Sequence, residues 1–454
     1  MDQQHDDAAA AQAPTRLAAW RHRALHLFDT LSARSRDNLV VWLGAALVGL
    51  VSVALAKSAE WAFEGFARLH AHWWWWPFIS LPLGGVLIRL LMTRYGQGAE
   101  SAGIPQTVAS INAAERSDIA SHFLNPRVVI AKFGAIVLGI GSGFVMGREG
   151  PTVQIGASIM YSCRRWLSDQ SVSFHRQLMV TGGAAGIAAA FNTPLAGIVF
   201  AFEELTRSVE ERTSGKLIGA VILAGVVSLA FLGNYTVFGH LKVPPFAYTI
   251  FIPLIPIAIL TGLIGGLLSW LCVHPQRWLP GAVLAWRLRR PYQYVIISAL
   301  IVAALGLLAP IFGSGGPETS AAIASGTPLP WYFLPVKFAG LLTTFLLGLP
   351  GGVFAPSLSL GAAAASWLAP LFADDLHTKL MAIGMVGMLA AVTRAPLTAA
   401  VIVMEMTDGH AMVISILAAS MIAARVARLF NTHLYSELAA RTLAPFGYQG
   451  KHHD

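Results

Sequence analysis

The 454-residue sequence predicts an all-helical integral membrane protein, and three observations carry that prediction. Only 12% of the residues are charged, 55% are hydrophobic, and the mean hydropathy is +0.61. Soluble domains carry roughly a quarter charged residues, so lipid must cover part of this surface. Apolar runs also recur along the whole chain, at Leu39–Leu55, Pro77–Met92, Val128–Met146, Leu217–Leu232, Ile250–Leu271, Val295–Ile311 and Leu334–Leu349. Each comes near the ~17–25 residues that a helix needs to cross a hydrocarbon core about 30 Å thick. Their length and lack of alternation favour helices over barrel strands, the two structures that satisfy every backbone polar group in lipid. Finally, the chain repeats itself. Gly182–Glu204 (GGAAGIAAAFNTPLAGIVFAFEE) reads alongside Gly384–Met406 (GMVGMLAAVTRAPLTAAVIVMEM), with Pro194 and Pro396 offset by 202 residues. Gly147 in GREGP and Gly352 in GVFAP are offset by 205, and Pro105 and Pro317 by 212.

From the N-terminus, residues 1–36 form a polar segment in which 1–14 are expected to be disordered and 15–35 a basic, partly amphipathic helix on the cytoplasmic face. Residues 37–442 form one membrane domain, with halves at about 38–240 and 250–430 joined by a basic linker near Pro275–Pro291, and 443–454 form a short cytoplasmic tail. The net charge of +8 points away from nucleic acid, because the basic residues flank apolar runs. Arg16, Arg21, Arg23, Arg34 and Arg36 precede the first run, Arg287, Arg289 and Arg290 lie mid-chain, and Arg425 and Arg428 close the last span. That distribution predicts cytoplasmic termini. No secretory leader is read, since the first apolar run starts near Leu39 and is too long. Trp73–Trp76 reads as part of an interfacial belt. Cys163 and Cys272 read as small buried hydrophobes, with no disulfide framework, metal site or cofactor implied.

Repeated halves with Gly/Pro-broken apolar segments point to a transport site between the repeats. Gly147-Arg148-Glu149-Gly150-Pro151 follows glycines at 139, 143 and 147, a spacing that predicts three bare backbone faces on one side of a helix. Gly147 and Gly150 let the chain break, and Pro151 suits the first turn of a new helix. Glu149 is thus expected at membrane depth beside a helix N-terminus. The N–H groups and positive dipole end there attract an anion, and a carboxylate can hold the same place when ionised and leave it when protonated. Ionisable groups inside a membrane cost about 2.5–3.5 kcal/mol and usually mark ion or proton paths. Gly351-Gly352-Val353-Phe354-Ala355-Pro356 is the repeat partner, offering donors without charge. Glu100-Ser101-Ala102-Gly103-Ile104-Pro105-Gln106 reads as a further, weaker helix start. Glu203 and Glu204 end an apolar helix, where proton relay and solvated helix end are both open readings.

Together these segments resemble the CLC family of chloride channels and proton-coupled chloride exchangers, over about residues 38–445. GREGP with GxFxP one repeat later is specific as a pair, and FNTPLAGIVFAFEE and Leu434-Tyr435-Ser436 strengthen it. The resemblance implies about eighteen helices in two inverted halves and a homodimer with one anion path per subunit. It implies anion binding by Ala102, Gly103, Ile104, Gly147, Arg148, Gly150, Val353 and Phe354, chiefly through backbone N–H groups, and by the hydroxyl of Tyr435. Glu149 would be the outer gate and proton carrier, and Glu204 the inner proton acceptor with Glu203 beside it. The family's GSGIP serine is here Ala102, and the usual glutamate after the proline is Gln106. A hydrogen bond to a charged partner is worth about 1.5–3 kcal/mol, so loss of the hydroxyl implies a weaker inner site and looser anion selectivity. The resemblance further implies a compact bacterial form, without appended nucleotide-sensing domains, in the inner membrane. The expected function is proton-coupled antiport of chloride or a similar monovalent anion, with a passive channel on the same scaffold as the alternative. An intramembrane enzyme is disfavoured because HExxH and GxSxG are absent.

Overall fold

The computed structural model describes residues 32–206, 215–233, 248–407 and 412–448. The amphipathic helix read over 15–35 falls almost wholly outside the described residues. The first helix, α1 (Ala33–His72), has 40 residues, so at about 1.5 Å per residue it is roughly 60 Å long and must tilt or project beyond the hydrocarbon layer. It is followed by α2 (Pro77–Tyr95), α3 (Ile104–Asn112), α4 (Ser117–Phe123), α5 (Pro126–Ser142), α6 (Glu149–Cys163), α7 (Val172–Phe191), α8 (Pro194–Phe200) and α9 (Gly215–Leu232). The second half holds α10 (Phe251–Val273), α11 (Pro275–Trp278), α12 (Gly281–Arg289), α13 (Pro291–Leu305), α14 (Gly316–Ser325), α15 (Phe333–Leu346), α16 (Phe354–Leu368), α17 (His377–Thr393), α18 (Pro396–Thr407), α19 (Val413–Ala427) and α20 (Leu434–Leu443). Proline stands in the first turn of many of them, where its missing N–H has no intrahelical partner to lose.

Among the described residues seven helical stretches are long and apolar enough to cross a bilayer, and the protein is a multi-pass integral membrane protein. The runs at Val295–Ile311 and Leu334–Leu349 fold instead into the shorter helices α13 and α15, while the run at Leu217–Leu232 lies in α9, 18 residues long. Conversely, α16 and α17 were not among the sequence's apolar runs, yet their spans are the most buried, at 72% and 89%. They face protein rather than lipid, so small residues serve them better than bulky apolar ones.

The repeat is realised in contacts as well as in sequence. Helices α6 and α7 touch where Gly156 meets Gly182, and α16 and α17 touch where Gly361 meets Gly384; a Cβ at any of the four would strike the facing backbone carbonyl. The turns ending α7 and α17 place Asn192 and Arg394 in the same left-handed conformation, at φ 59° and 62°. Buried Lys132 on α5 and Lys337 on α15 each reach back to carbonyls of the loop before a half-helix: Ser101 O at 3.1 Å for the first, Ile311 O at 2.6 Å and Gly313 O at 3.1 Å for the second. One expectation fails. Helix α5 stops at Ser142 and Gly143 caps it at φ +98°, so Gly139, Gly143 and Gly147 do not share a helix face. The left-handed turn satisfies the helix's last carbonyls and sends Gly147 into the break.

Candidate functional site

Three half-helices begin at one place. The loops before α6 and α16 are tied by a two-way antiparallel bridge, Gly147 N–H to Gly352 O at 2.8 Å and Gly352 N–H to Gly147 O at 2.8 Å. Such reciprocity is the mark of a two-fold relation between the halves. The first i to i−4 bonds are Thr152 N–H to Arg148 O and Ser357 N–H to Val353 O. The amides of Arg148, Glu149 and Gly150, and of Val353, Phe354 and Ala355, therefore precede any intrahelical partner and point out of the two helix starts. The loop before α3 closes the third side: a Cβ on Gly103, whose φ is +95°, would lie 2.5 Å from Gly150 O and 3.0 Å from Pro151 Cα.

Glu149 is the first residue of α6 and is buried, at 6% exposure. Its carboxylate folds back over Gly147, where a Cβ would collide with Oε2 and would also meet Pro356 Cδ at 3.1 Å and Gly352 O at 3.3 Å. Only glycine leaves that space. Oε2 has no hydrogen-bond partner among the described residues, while the backbone amide dipoles of Glu149 itself, Ala355 and Arg148 act on the group. Arg148 does not pair with it side chain to side chain. Its Nη1 donates to Ala56 O at 2.8 Å and lies 3.4 Å from Glu60 Oε1 on α1.

Of the residues the resemblance implied for anion binding, Ala102, Gly103, Ile104, Gly147, Arg148, Gly150, Val353 and Phe354 all converge here. Two amides are already committed, however: Gly147 N–H to Gly352 O, and Gly103 N–H to Gln106 Oε1 at 3.0 Å. Both amides thus already have an acceptor, and a Cβ on either glycine would collide with its neighbours. Gln106 also donates Nε2 to Glu100 O, a second bond that an ionised glutamate could not make. Tyr435, the second residue of α20, is 1% exposed and stacks on Phe354 with ring centroids 6.0 Å apart. Phe191 and Phe200 pack on the same Phe354 ring at 6.1 and 6.3 Å. The Tyr435 hydroxyl has no hydrogen-bond partner among the described residues, and the carboxyl groups of Glu204 and Glu149 both lie within its electrostatic reach.

The two acids Glu203 and Glu204 differ from each other. Residues Ala201–Thr206 form a π-helical turn after α8, a local widening often found at functional sites. Within it Glu204 is buried, at 2% exposure. Glu203 turns the other way and caps α18, accepting from Leu397 N–H at 3.1 Å and Thr398 N–H at 2.6 Å. Glu405 on α18 returns the contact to α8, accepting from Leu195 N–H at 3.3 Å and Ala196 N–H at 2.9 Å. Glu203 and Glu405 are separated by 202 residues, the offset of the repeat, so the two caps are symmetry mates.

Sequence reasoning missed Glu405, Lys132, Gln154 and the aromatic pair Phe191 and Phe200. Gln154 accepts from Lys132 Nζ and donates to Gly98 O at 2.8 Å and Phe123 O at 2.9 Å, fixing the loop that leads into α3. A lone cation in the apolar run of α5 was the available signal, since such groups are rare without a partner. For Glu405, the repeat offset applied to Glu203 would have found it.

Comparisons with known proteins agree with this geometry. The profile of the voltage gated chloride channel family matches residues 84–428. The H(+)/Cl(−) exchange transporter ClcA of Cronobacter sakazakii is 32% identical over 469 residues, covering 95% of this chain and 96% of that protein. The ClcA protein of Klebsiella pneumoniae subsp. pneumoniae is 32% identical over 451 residues, covering 91% of each. Among solved structures, a slow cyanobacterial Cl−/H+ antiporter superposes with a TM-score of 0.73 at 23% identity, covering 90% of this chain and 99% of that one. A CLC-type fluoride/proton antiporter gives a TM-score of 0.72 at 21% identity, covering 89% and 98%. With its bridged half-helices, its buried acids and a match across most of its length, the chain belongs to the CLC family of anion-transport proteins and is not an enzyme.

Proposed function

We propose that the protein is a proton-coupled antiporter of chloride or a similar monovalent anion, with Glu149 as gate and proton carrier. The carrying observation is the Glu149 carboxylate lodged against Gly147, at the point where two half-helices direct their first amides. When ionised, that group competes with a permeant anion for the same donors. When protonated it loses the attraction, leaves the junction and takes a proton with it. On this reading the anion is held by the amides of Arg148, Glu149 and Gly150 and of Val353 and Phe354, with the Tyr435 hydroxyl on its inner side. Glu204 accepts the proton from the cytoplasm, and Glu203 holds the frame around it. The Phe191 and Phe200 rings pack on Phe354, whose ring stacks on Tyr435, and so hold the tyrosine in place. Relatives named as H(+)/Cl(−) exchange transporters support the coupling.

The location that follows is a bacterial inner membrane with cytoplasmic termini, given the arginines that flank the spans. A homodimer is part of the reading. Leu195 on α8, Ile222 and Val226 on α9, Leu397 on α18 and Ile414 on α19 expose 42–58% of their surfaces, on the two helices joined by the reciprocal caps and the helices packed beside them. A second copy seated there would cover them.

Proteoliposomes under an imposed chloride gradient, with simultaneous chloride and pH readouts, test the function. Antiport predicts protons driven against their gradient. The passive channel is favoured by one feature, Ala102 in the place of the family's hydroxyl. Chloride flux with no proton movement would select it, and a fluoride arm separates the halides.

A further inference from the structure

A cavity of about 480 Å3 lies where the end of α17, the start of α18 and the end of α19 meet, away from the Glu149 junction. Arg394, Arg425, Arg428 and His433 line it together with the apolar Met421 and Ile422. Three guanidiniums facing one space repel one another, and Arg394 and Arg428 are within electrostatic reach. Among the described residues none of the three has a carboxylate partner. Acids on neighbouring segments are engaged elsewhere, Glu203 on the amides of Leu397 and Thr398, Glu405 on those of Leu195 and Ala196, and Glu437 on the amide of His433 at 3.0 Å.

Arg394 is placed with care. It occupies the left-handed conformation that its repeat partner Asn192 also takes, a conformation that asparagine tolerates and arginine seldom adopts. From there its Nη2 donates to Ala427 O at 2.8 Å, the last residue of α19. The guanidinium is thereby pinned at the helix end from which Arg425 and Arg428 project. Met421, in the wall, is 60% exposed, and Leu429, next to Arg428 in the chain, is 77% exposed. A cluster of arginines next to an exposed apolar strip at a helix end fits a molecule with a phosphate at one end and hydrocarbon at the other.

We infer that this cavity binds a phosphate-bearing anion, the headgroup of an acidic phospholipid whose chains run along Met421 and Leu429. The inference stands apart from what the protein transports. Arg425 and Arg428 receive the phosphate, and Arg394 sets the floor of the site. Occupation would join α17, α18 and α19 at the end where Glu203 caps α18, so it should steady that cap.

The test uses the full chain, purified in detergent and delipidated, as wild type and as Arg425→Gln/Arg428→Gln. Both arginines are exposed, so folding should survive; Arg289→Gln serves as a charge control. Each protein is titrated with phosphatidylglycerol, phosphatidylcholine or inorganic phosphate while thermal stability and, by native mass spectrometry, retained mass are read. The expected result is phosphatidylglycerol bound and stabilising in the wild type and in Arg289→Gln, with affinity falling about five-fold for each cavity arginine removed. Phosphatidylcholine should do little. Protection of the wild type alone by inorganic phosphate, with no gain from the lipid, would keep the phosphate site and refute the lipid as its source. Equal response of wild type and the double variant to phosphatidylglycerol, or no response in either, would overturn the inference.

Discussion

The Glu149 junction and the Glu203–Glu204 turn are both built where the two halves of the chain meet, yet they use the repeat in opposite ways. At the junction the backbone is symmetric: Gly147 and Gly352 exchange identical bonds, and α6 and α16 start alike. The side chains there break the symmetry, since Glu149 corresponds to Phe354 at the offset of 205. At the turn one acid repeats and one does not. Glu203 matches Glu405, and each caps the other half's helix, whereas Glu204 corresponds to Met406. Symmetric groups build the frame, and the proposed chemistry falls where the halves differ. Among the described residues Glu149 and Glu204 are the two buried acids, and neither has an acid as its repeat counterpart.

Each prediction strains one side of that comparison. The largest effect is expected for Gly147→Val, which puts carbon where the Glu149 carboxylate lies. Liposome flux should fall to background in protein that still elutes as a single species. Wild-type flux would mean that the carboxylate does not rest there. Next come the two buried lysines. Lys132→Met leaves Ser101 O and Gln154 Oε1 without their donor, and Lys337→Met does the same to Ile311 O and Gly313 O, each at about 1–3 kcal/mol per unsatisfied group. Thermal melts should report similar losses for both, while anion affinity by calorimetry should weaken only in Lys132→Met, whose loop abuts the junction. Equal affinity loss in the two variants would erase the distinction.

The reciprocal caps should behave as a pair. Glu203→Ala and Glu405→Ala each remove a helix cap, worth about 0.5–2 kcal/mol, and the glutamine variants should lose less. Similar destabilisation in the two, read by denaturation in detergent, is the expected result; a loss confined to Glu203 would show that the symmetry is only formal. The smallest effect is reserved for Gln106→Glu. It gives up the bond to Glu100 O for about 0.5–1.5 kcal/mol while the bond from Gly103 N–H remains.

Much of this was legible in the sequence. The helix breaks at GREGP and GVFAP, the repeat and the position of Glu149 followed from glycine and proline placement alone, because backbone constraints are local. The side-chain arrangements were not. Nothing around Glu203 reveals that its oxygens cross to Leu397 and Thr398, nearly two hundred residues later. The spacing of glycines at 139, 143 and 147 suggested a packing face, but a left-handed cap at Gly143 ended the helix between them. Helices α16 and α17 hid because protein-facing helices need small residues rather than a lipid-facing run. The pairing of Gln106 with two backbone groups explains a departure that the sequence could only record.

The most direct test is proton movement driven by a chloride gradient in four single variants, Glu149→Gln, Glu204→Gln, Glu203→Gln and Glu405→Gln, reconstituted side by side. Protons are expected to stop in the first two, chloride to keep moving in Glu204→Gln, and both fluxes to persist in the last two. Protons stopped by Glu203→Gln or Glu405→Gln, with coupling intact in Glu149→Gln or Glu204→Gln, would contradict the proposed mechanism.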